Sequence, residues 1–227
     1  MKVLHESDWH RYLGRRLCLS AENRVNFELD YRRQQAWAAF HKHRKVILNK
    51  HVSLEKRLQY FDACVTPAIL FASVAFPLSK TRLHGLDALQ RKMLRRIIGW
   101  RRTEGESWHD TMQRMNQRLE HAQQLFLCQP WSERYARNQW RYVGHLLKQE
   151  VSSWAKVMAS VASPIHDPFG EYVPHRSQGR PRLRWDDHIR QFCFMKWPLE
   201  VEKHWLDILK YVDATQFENE YVAFLVS

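Results

Sequence analysis

Thr81-Arg-Leu-His-Gly-Leu-Asp-Ala-Leu-Gln-Arg-Lys-Met-Leu-Arg-Arg-Ile-Ile-Gly-Trp100, with Arg101-Arg102 behind it, decides how this chain is read. Leu83, Leu86, Leu89, Met93, Leu94, Ile97 and Ile98 recur at three- and four-residue spacings. At about 100° per residue they fill one side of a helix. Arg91, Lys92, Arg95 and Arg96 fall on the other side, while Gln90 intrudes into the apolar arc and Asp87 sits at its edge. At about 1.5 Å per residue the stretch makes a rod of roughly 27 Å. Two readings are open at this point. One is a core helix with a solvated basic face. The other is a helix that presents guanidinium groups to phosphates.

The rest of the chain gives the helix its setting. The 227 residues suit one domain or two small ones with a real core. The formal net charge of +12 and a pI near 9.8 favour an anionic partner, nucleic acid before membrane, because each phosphate neutralised releases counterions. Seven glycines argue against Gly-rich sheets or linkers, a P-loop and a dinucleotide fingerprint. Cys18, Cys64, Cys128 and Cys193 are far apart, which argues against a disulfide scaffold and for a reducing compartment. The N-terminus lacks a secretory signal, and the longest apolar stretch, Ala68 to Phe76, is too short to span a membrane. An intracellular protein of nucleus or cytoplasm, without a membrane segment, is expected.

Along the chain, Trp9 to Leu19 alternates polar and apolar around Gly14, the pattern of a short β-hairpin that needs a docking surface. Helical patterns follow at Glu28 to Leu48 and at Leu54 to Val65, with Ser53 as N-cap and a break near Val65 or Thr66 imposed by Pro67. Ala68 to Phe76, apolar all round, reads as a buried helix. Ser107 caps a helix carrying Trp108, Met112, Met115, Leu119 and Ala122, and Pro130-Trp-Ser opens another with a second basic stripe at Arg134, Arg137 and Arg141. Ser153 to Val161 and the Trp185, Ile189 and Phe192 face are further helices, and Trp205, Ile208 and Leu209 mark a short one. Thr215-Gln-Phe-Glu218 has the form of a capping box for the last. The fold expected is mainly α: an irregular helical bundle with a short N-terminal β-hairpin.

Six segments, in order, resemble the C-terminal end of a non-LTR (LINE-type) retrotransposon reverse transcriptase. They are Tyr12-Leu-Gly14, Ala36-Trp-Ala-Ala-Phe40, Phe61-Asp-Ala-Cys-Val-Thr-Pro-Ala-Ile-Leu-Phe71, Leu89-Gln-Arg-Lys-Met-Leu-Arg-Arg-Ile-Ile-Gly99, Trp140-Arg-Tyr-Val-Gly-His145 and Gly179-Arg-Pro-Arg-Leu-Arg-Trp185. The resemblance implies residues 1–28 as a hairpin like the end of the palm, with Tyr12, Leu13 and Gly14 beside the primer grip. It implies 29–162 as a thumb-like helical domain, with Ala36 through Gly99 as the thumb helices that hold template–primer duplex; the Pro-, Gly- and Ser-rich composition of 163–179 reads as a flexible loop, and 180–227 as a C-terminal helical region.

The helical pattern then selects Arg91, Lys92, Arg95 and Arg96, with Arg101 and Arg102, as phosphate contacts. Arg176, Arg180, Arg182 and Arg184 around the loop form a second patch. The palm aspartates that would hold two Mg²⁺ are absent. Asp186-Asp187, the one acidic pair, sits at a helix start, where carboxylates offset the dipole. No metal site or cofactor is read, because the histidines are scattered and no Cys has a second nearby. Most of the ten tryptophans, Trp37, Trp108, Trp140, Trp185 and Trp205 among them, are assigned to the core, and one or two are left as base-stacking candidates. The expectation is a non-catalytic reverse transcriptase fragment that binds RNA or RNA–DNA duplex through phosphates without reading sequence, with a palm domain or another protein as further partner. Its rivals are a protein-interaction or non-functional remnant and a truncated gene model of an active RNA-directed DNA polymerase.

Overall fold

Leu13 and Gly14 both take positive φ, +46° and +79°. Two such residues in succession make the turn that matches the twist of paired strands. They join β1 (Trp9–Tyr12) to β2 (Arg15–Cys18), antiparallel, with Tyr12 opposite Arg15 and Trp9 opposite Cys18. This hairpin is the one sheet among the residues described by the computed structural model, which are 9–18, 23–150, 152–161, 184–198 and 204–227. Nearly everything else there is helix, so the chain is mainly α with an N-terminal hairpin. The 163–179 loop lies outside the described residues.

Two compact units divide the chain. The first comprises residues 1–72 and 81–132, the second 73–80 and 133–227. In the first, α1 (Arg24–Lys42) gives the hairpin the docking surface it needs. Glu28, fully buried, accepts from the Arg16 backbone N–H at 2.6 Å and from Arg32 Nε at 2.7 Å. Arg32 also donates to the Gly14 carbonyl. Around this core of charge, cations and rings alternate. Arg16 lies 4.0 Å from the Trp9 ring and 4.6 Å from Tyr31, while Arg32 lies 5.0 Å from Tyr31 and 4.5 Å from Phe71. Each such contact contributes about 0.5–2 kcal/mol, so a hairpin marginal in isolation is fixed by its neighbours.

The helical pattern expected to run from Glu28 to Leu48 is interrupted at His43, so α2 (Arg44–Ile47) is separate. Ser53 caps α3 (Leu54–Cys64) through a bond from the Lys56 N–H, and the break imposed by Pro67 falls at Val65, before α4 (Thr66–Leu70). The segment Leu54–Ala75 is long and apolar enough to cross a membrane by length and composition alone, a test that core helices also pass. Here it places Leu58, Phe61, Val65 and Ile69 in the core. The expected all-round buried helix from Ala68 to Phe76 does not form. Phe71 turns extended at ψ 126°, Ala72 takes φ +51°, and Ser73–Ala75 is a short 3-10 turn. Phe71 lies against the Arg32 cation, and the chain passes to the second unit directly after Ala72.

Two long helices complete the first unit, α5 (Lys80–Ile98, in this unit from Thr81) and α6 (Trp108–Leu125). Arg57, buried on α3, donates to the Ile97 carbonyl at 2.7 Å and satisfies one of the orphan carbonyls at the end of α5.

In the second unit α7 (Trp131–Lys148, in this unit from Glu133) carries Trp140, whose ring stacks on Tyr221 at 4.7 Å and meets Phe192 edge-on at 5.3 Å. The polar ends are satisfied as well. Trp140 Nε1 donates to the Ala214 carbonyl at 2.6 Å, and the Tyr221 hydroxyl donates to Gln139 Oε1 at 2.7 Å. Around them run α8 (Trp154–Val161), α9 (Asp187–Lys196), α10 (Trp205–Leu209) and α11 (Glu218–Val226). Thr215 does not open a capping box. It lies inside a 3-10 turn, Asp213 accepts its N–H at 3.0 Å, and Glu218 is turned to arginines instead.

Candidate nucleic-acid interface

The apolar side of α5 is buried as its spacing requires: Leu83, Leu86, Met93, Leu94 and Ile97 are almost wholly covered. So are its two polar intruders. Asp87 Oδ1 accepts the Ser132 N–H at 2.9 Å and Oδ2 accepts the Ser132 hydroxyl at 2.6 Å. Gln90 Oε1 accepts the Trp131 N–H at 3.2 Å, and its Nε2 donates to the Gln129 carbonyl at 2.9 Å. Trp131 and Ser132 open α7 and close the first unit. Their amides are orphan donors by position, and Pro130 before them has no side chain that can cap. Asp87 and Gln90 do that work from another helix.

This arrangement settles the charge of α5. Asp87 is the helix's one carboxylate and it is buried, so no acid faces outward on α5. Arg91, Lys92 and Arg96 are exposed. Arg91 and Lys92 make no ion pair among the described residues, and Arg96 rests 4.8 Å above the Trp37 ring. Arg95 is half-buried and donates to Asn116 Oδ1 at 2.7 Å, which ties it to α6.

Past α5, Gly99 at φ +87° ends the helix, and its N–H reaches the Arg95 carbonyl at 3.0 Å. The loop that follows has one organiser, Glu106. Its carboxylate accepts from Arg114 Nε and Nη2 at 2.7 and 2.8 Å, from the Thr111 hydroxyl at 2.9 Å and from the Thr103 N–H at 3.1 Å. These bonds, that of Arg114 foremost, hold its pKa down to about 2. Arg114 also donates to the Arg101 carbonyl at 2.8 Å, and Arg102 donates to the Glu106 carbonyl at 2.9 Å. The exposed arginines 101 and 102 therefore stand on a fixed backbone. Ser107 caps α6 as its position suggests, accepting the Asp110 N–H at 3.1 Å. Nothing in the spacing of Glu106 and Arg114 marks this hub; only the fold shows it.

The remaining sites are placed as follows. Tyr12, Leu13 and Gly14 form the tip of the hairpin. Arg184 is half-buried, and its N–H donates to Asp187 Oδ2 at 2.7 Å. Arg176, Arg180 and Arg182 lie outside the described residues. In the second basic stripe Arg137 and Arg141 share the one carboxylate of Glu218, at 3.1 and 3.0 Å. Asp186 and Asp187 stand at the start of α9. Trp205 Nε1 donates to Asp186 at 3.1 Å, and burial pushes the Asp186 carboxyl up from its ordinary value. Among the described residues no group of three His, Cys, Asp or Glu side chains converges as a metal site.

The tryptophans divide. Trp131, Trp140 and Trp205 are fully buried, each with its indole N–H bonded, whereas Trp37 and Trp185 are half-buried. Trp108 is not in the core: it is 63% exposed. A helical side chain covers the turn preceding its own Cα, and the first residue of α6 has no such turn beneath it.

Compared with known proteins, the chain is similar to a transposon-derived protein of Caenorhabditis elegans, 23% identical over 197 residues, covering 83% of this chain and 61% of the relative. The likeness indicates a transposon-related origin. The chain spans about three fifths of that relative's length. No protein-family model matches, and no solved structure does.

Proposed function

We propose that the chain binds duplex or RNA–DNA hybrid nucleic acid through backbone phosphates, as the thumb-like, post-palm part of a non-LTR retrotransposon reverse transcriptase, and does not polymerise DNA by itself. One observation carries the reading. The exposed side of α5 bears Arg91, Lys92 and Arg96 with no carboxylate among them, while Arg32, Arg114, Arg137 and Arg141 are paired with acids. Those arginines have a carboxylate partner; Arg91 and Lys92 have none among the described residues, and Arg96 meets only the Trp37 ring. Contacts of this kind position a duplex without reading its bases. The similarity to a transposon-derived protein supports the origin, and the six ordered segments support the family. Asp186 and Asp187, each tied to its own neighbours, offer no pair for two-metal chemistry.

The test reverses Arg91, Lys92 and Arg96 to Glu, sparing Arg95 because it anchors α6. Each phosphate that is no longer neutralised lowers the slope of log affinity against log salt by about 0.9, so removing all three cations lowers it by about 2.7. A triple variant with the parent's affinity and slope for an RNA–DNA hybrid would overturn the assignment.

A further inference from the structure

Trp100 and Trp108 form a pair on the surface, with ring centroids 5.9 Å apart and planes tilted by 48°. Trp100 is 38% exposed, and neither indole N–H has a protein partner among the described residues, unlike the core tryptophans. Burial does not explain the pair, and their support is unusually firm for a surface loop. Residues 101–105 are all exposed, yet Glu106, Arg114 and Thr111 tie the backbone down between the two rings. A platform fixed in advance costs little ordering when something lands on it.

The geometry limits what can land. A flat ligand sandwiched between two rings needs about twice the roughly 3.4 Å spacing of stacked bases, more than this pair leaves, and the tilt is wrong for it. The open face is that of Trp108, with Trp100 propping it from the side. Cationic guests, the usual occupants of aromatic clusters, are disfavoured by Arg101 and Arg102, which follow Trp100 directly and extend the basic run of α5. A planar group that carries negative charge fits both features. Trp100 is also only two residues past the end of α5, so the pair adjoins the end of that helix where its exposed cations lie.

Resting on the phosphate-binding reading, we infer that Trp108, braced by Trp100, is a stacking platform for an unpaired base at a junction between duplex and single strand, with Arg101 and Arg102 meeting the phosphates of that strand. Stacking of one base on an aromatic side chain contributes about five- to hundredfold in affinity.

The experiment uses the full chain and fluorescence anisotropy at physiological salt. A blunt RNA–DNA hybrid is compared with the same hybrid carrying a five-nucleotide overhang at either end. The parent should bind one overhang form about five- to hundredfold more tightly than the blunt form. W100A/W108A should lose that gain and keep blunt affinity, while W108F keeps most of it because an aromatic face remains. Far-UV circular dichroism and Tm show that the variants fold. A parent that binds blunt and overhang hybrids equally overturns the platform and leaves the α5 reading intact. A double variant that retains the full gain also overturns it. A parent that binds the free single strand but not the hybrid overturns the α5 reading while W108F against W108A still decides the platform.

Discussion

Asp87→Ala is the change most sensitive to how the first unit is held. The substitution leaves the Ser132 N–H without its 2.9 Å acceptor and the Ser132 hydroxyl without its 2.6 Å one, at a residue almost wholly buried. An orphaned buried donor costs about 1–3 kcal/mol, and a bond to a charged acceptor contributes about 1.5–3 kcal/mol. The hydroxyl can rotate to another acceptor, whereas the amide cannot. Removing a buried carboxylate also returns part of its desolvation cost. A net loss of about 3 kcal/mol follows.

Asp87→Asn keeps an oxygen for the amide and offers its NH₂ to the hydroxyl, so it should cost about 1 kcal/mol. Because the two units need not unfold together, the sharper assay is amide hydrogen exchange by NMR at Ser132. At 1.4 kcal/mol per tenfold, Asp87→Ala should speed exchange there about a hundredfold, and Asp87→Asn about fivefold. An Asp87→Ala rate within threefold of the parent would refute the capping argument.

Acid should loosen the loop after α5 as pH falls below the ordinary carboxylate range. The Glu106 carboxyl is held at about 2, below its ordinary value, so its contribution is full above the unfolded pKa near 4.5 and is lost as pH falls towards 2. Fluorescence of the Trp100–Trp108 pair should change in the parent as pH is taken below about 2 and not in Glu106→Gln; a parent signal unchanged there would contradict the hub. Cys193, buried with its thiol pushed up to about 12, should resist alkylation at pH 8 until denaturant is added, while half-buried Cys64 reacts, as peptide mass mapping can read. Equal labelling rates would contradict that packing. Leu13, 78% exposed at φ +46°, strains its turn for little burial. Leu13→Asn should stabilise the hairpin by about 1 kcal/mol, seen as a higher Tm, and a lower Tm would show that the leucine packs against something.

Much of this was readable in the chain. The repeat of α5, the caps at Ser53 and Ser107 and the break before Pro67 depend on neighbours a few residues away, and local pattern finds them. Asp87 and Gln90 looked like flaws in an amphipathic face because their partners lie some forty positions downstream. The same distance hid the fate of Glu218, whose T-x-x-E spacing is sound but whose carboxylate is taken by Arg137 and Arg141 from α7. Trp108 sits on the apolar wheel of α6 with Met115 and Leu119, and a wheel has no ends. Glu106 and Arg114 had no signal, since an ion pair across a loop leaves no period.

The burial of Asp87 also bears on kinetics. An acid tucked under a helix no longer faces a partner beside the basic groups on its outer side, so an approaching polyanion meets charge of one sign from Arg91 to Arg96. At physiological ionic strength that field fades within about 8 Å, too short to guide a distant partner but long enough to hold one that has touched. If α5 binds nucleic acid as proposed, the expected behaviour is salt-sensitive retention with sliding, the strand moving along the helix until something other than charge arrests it.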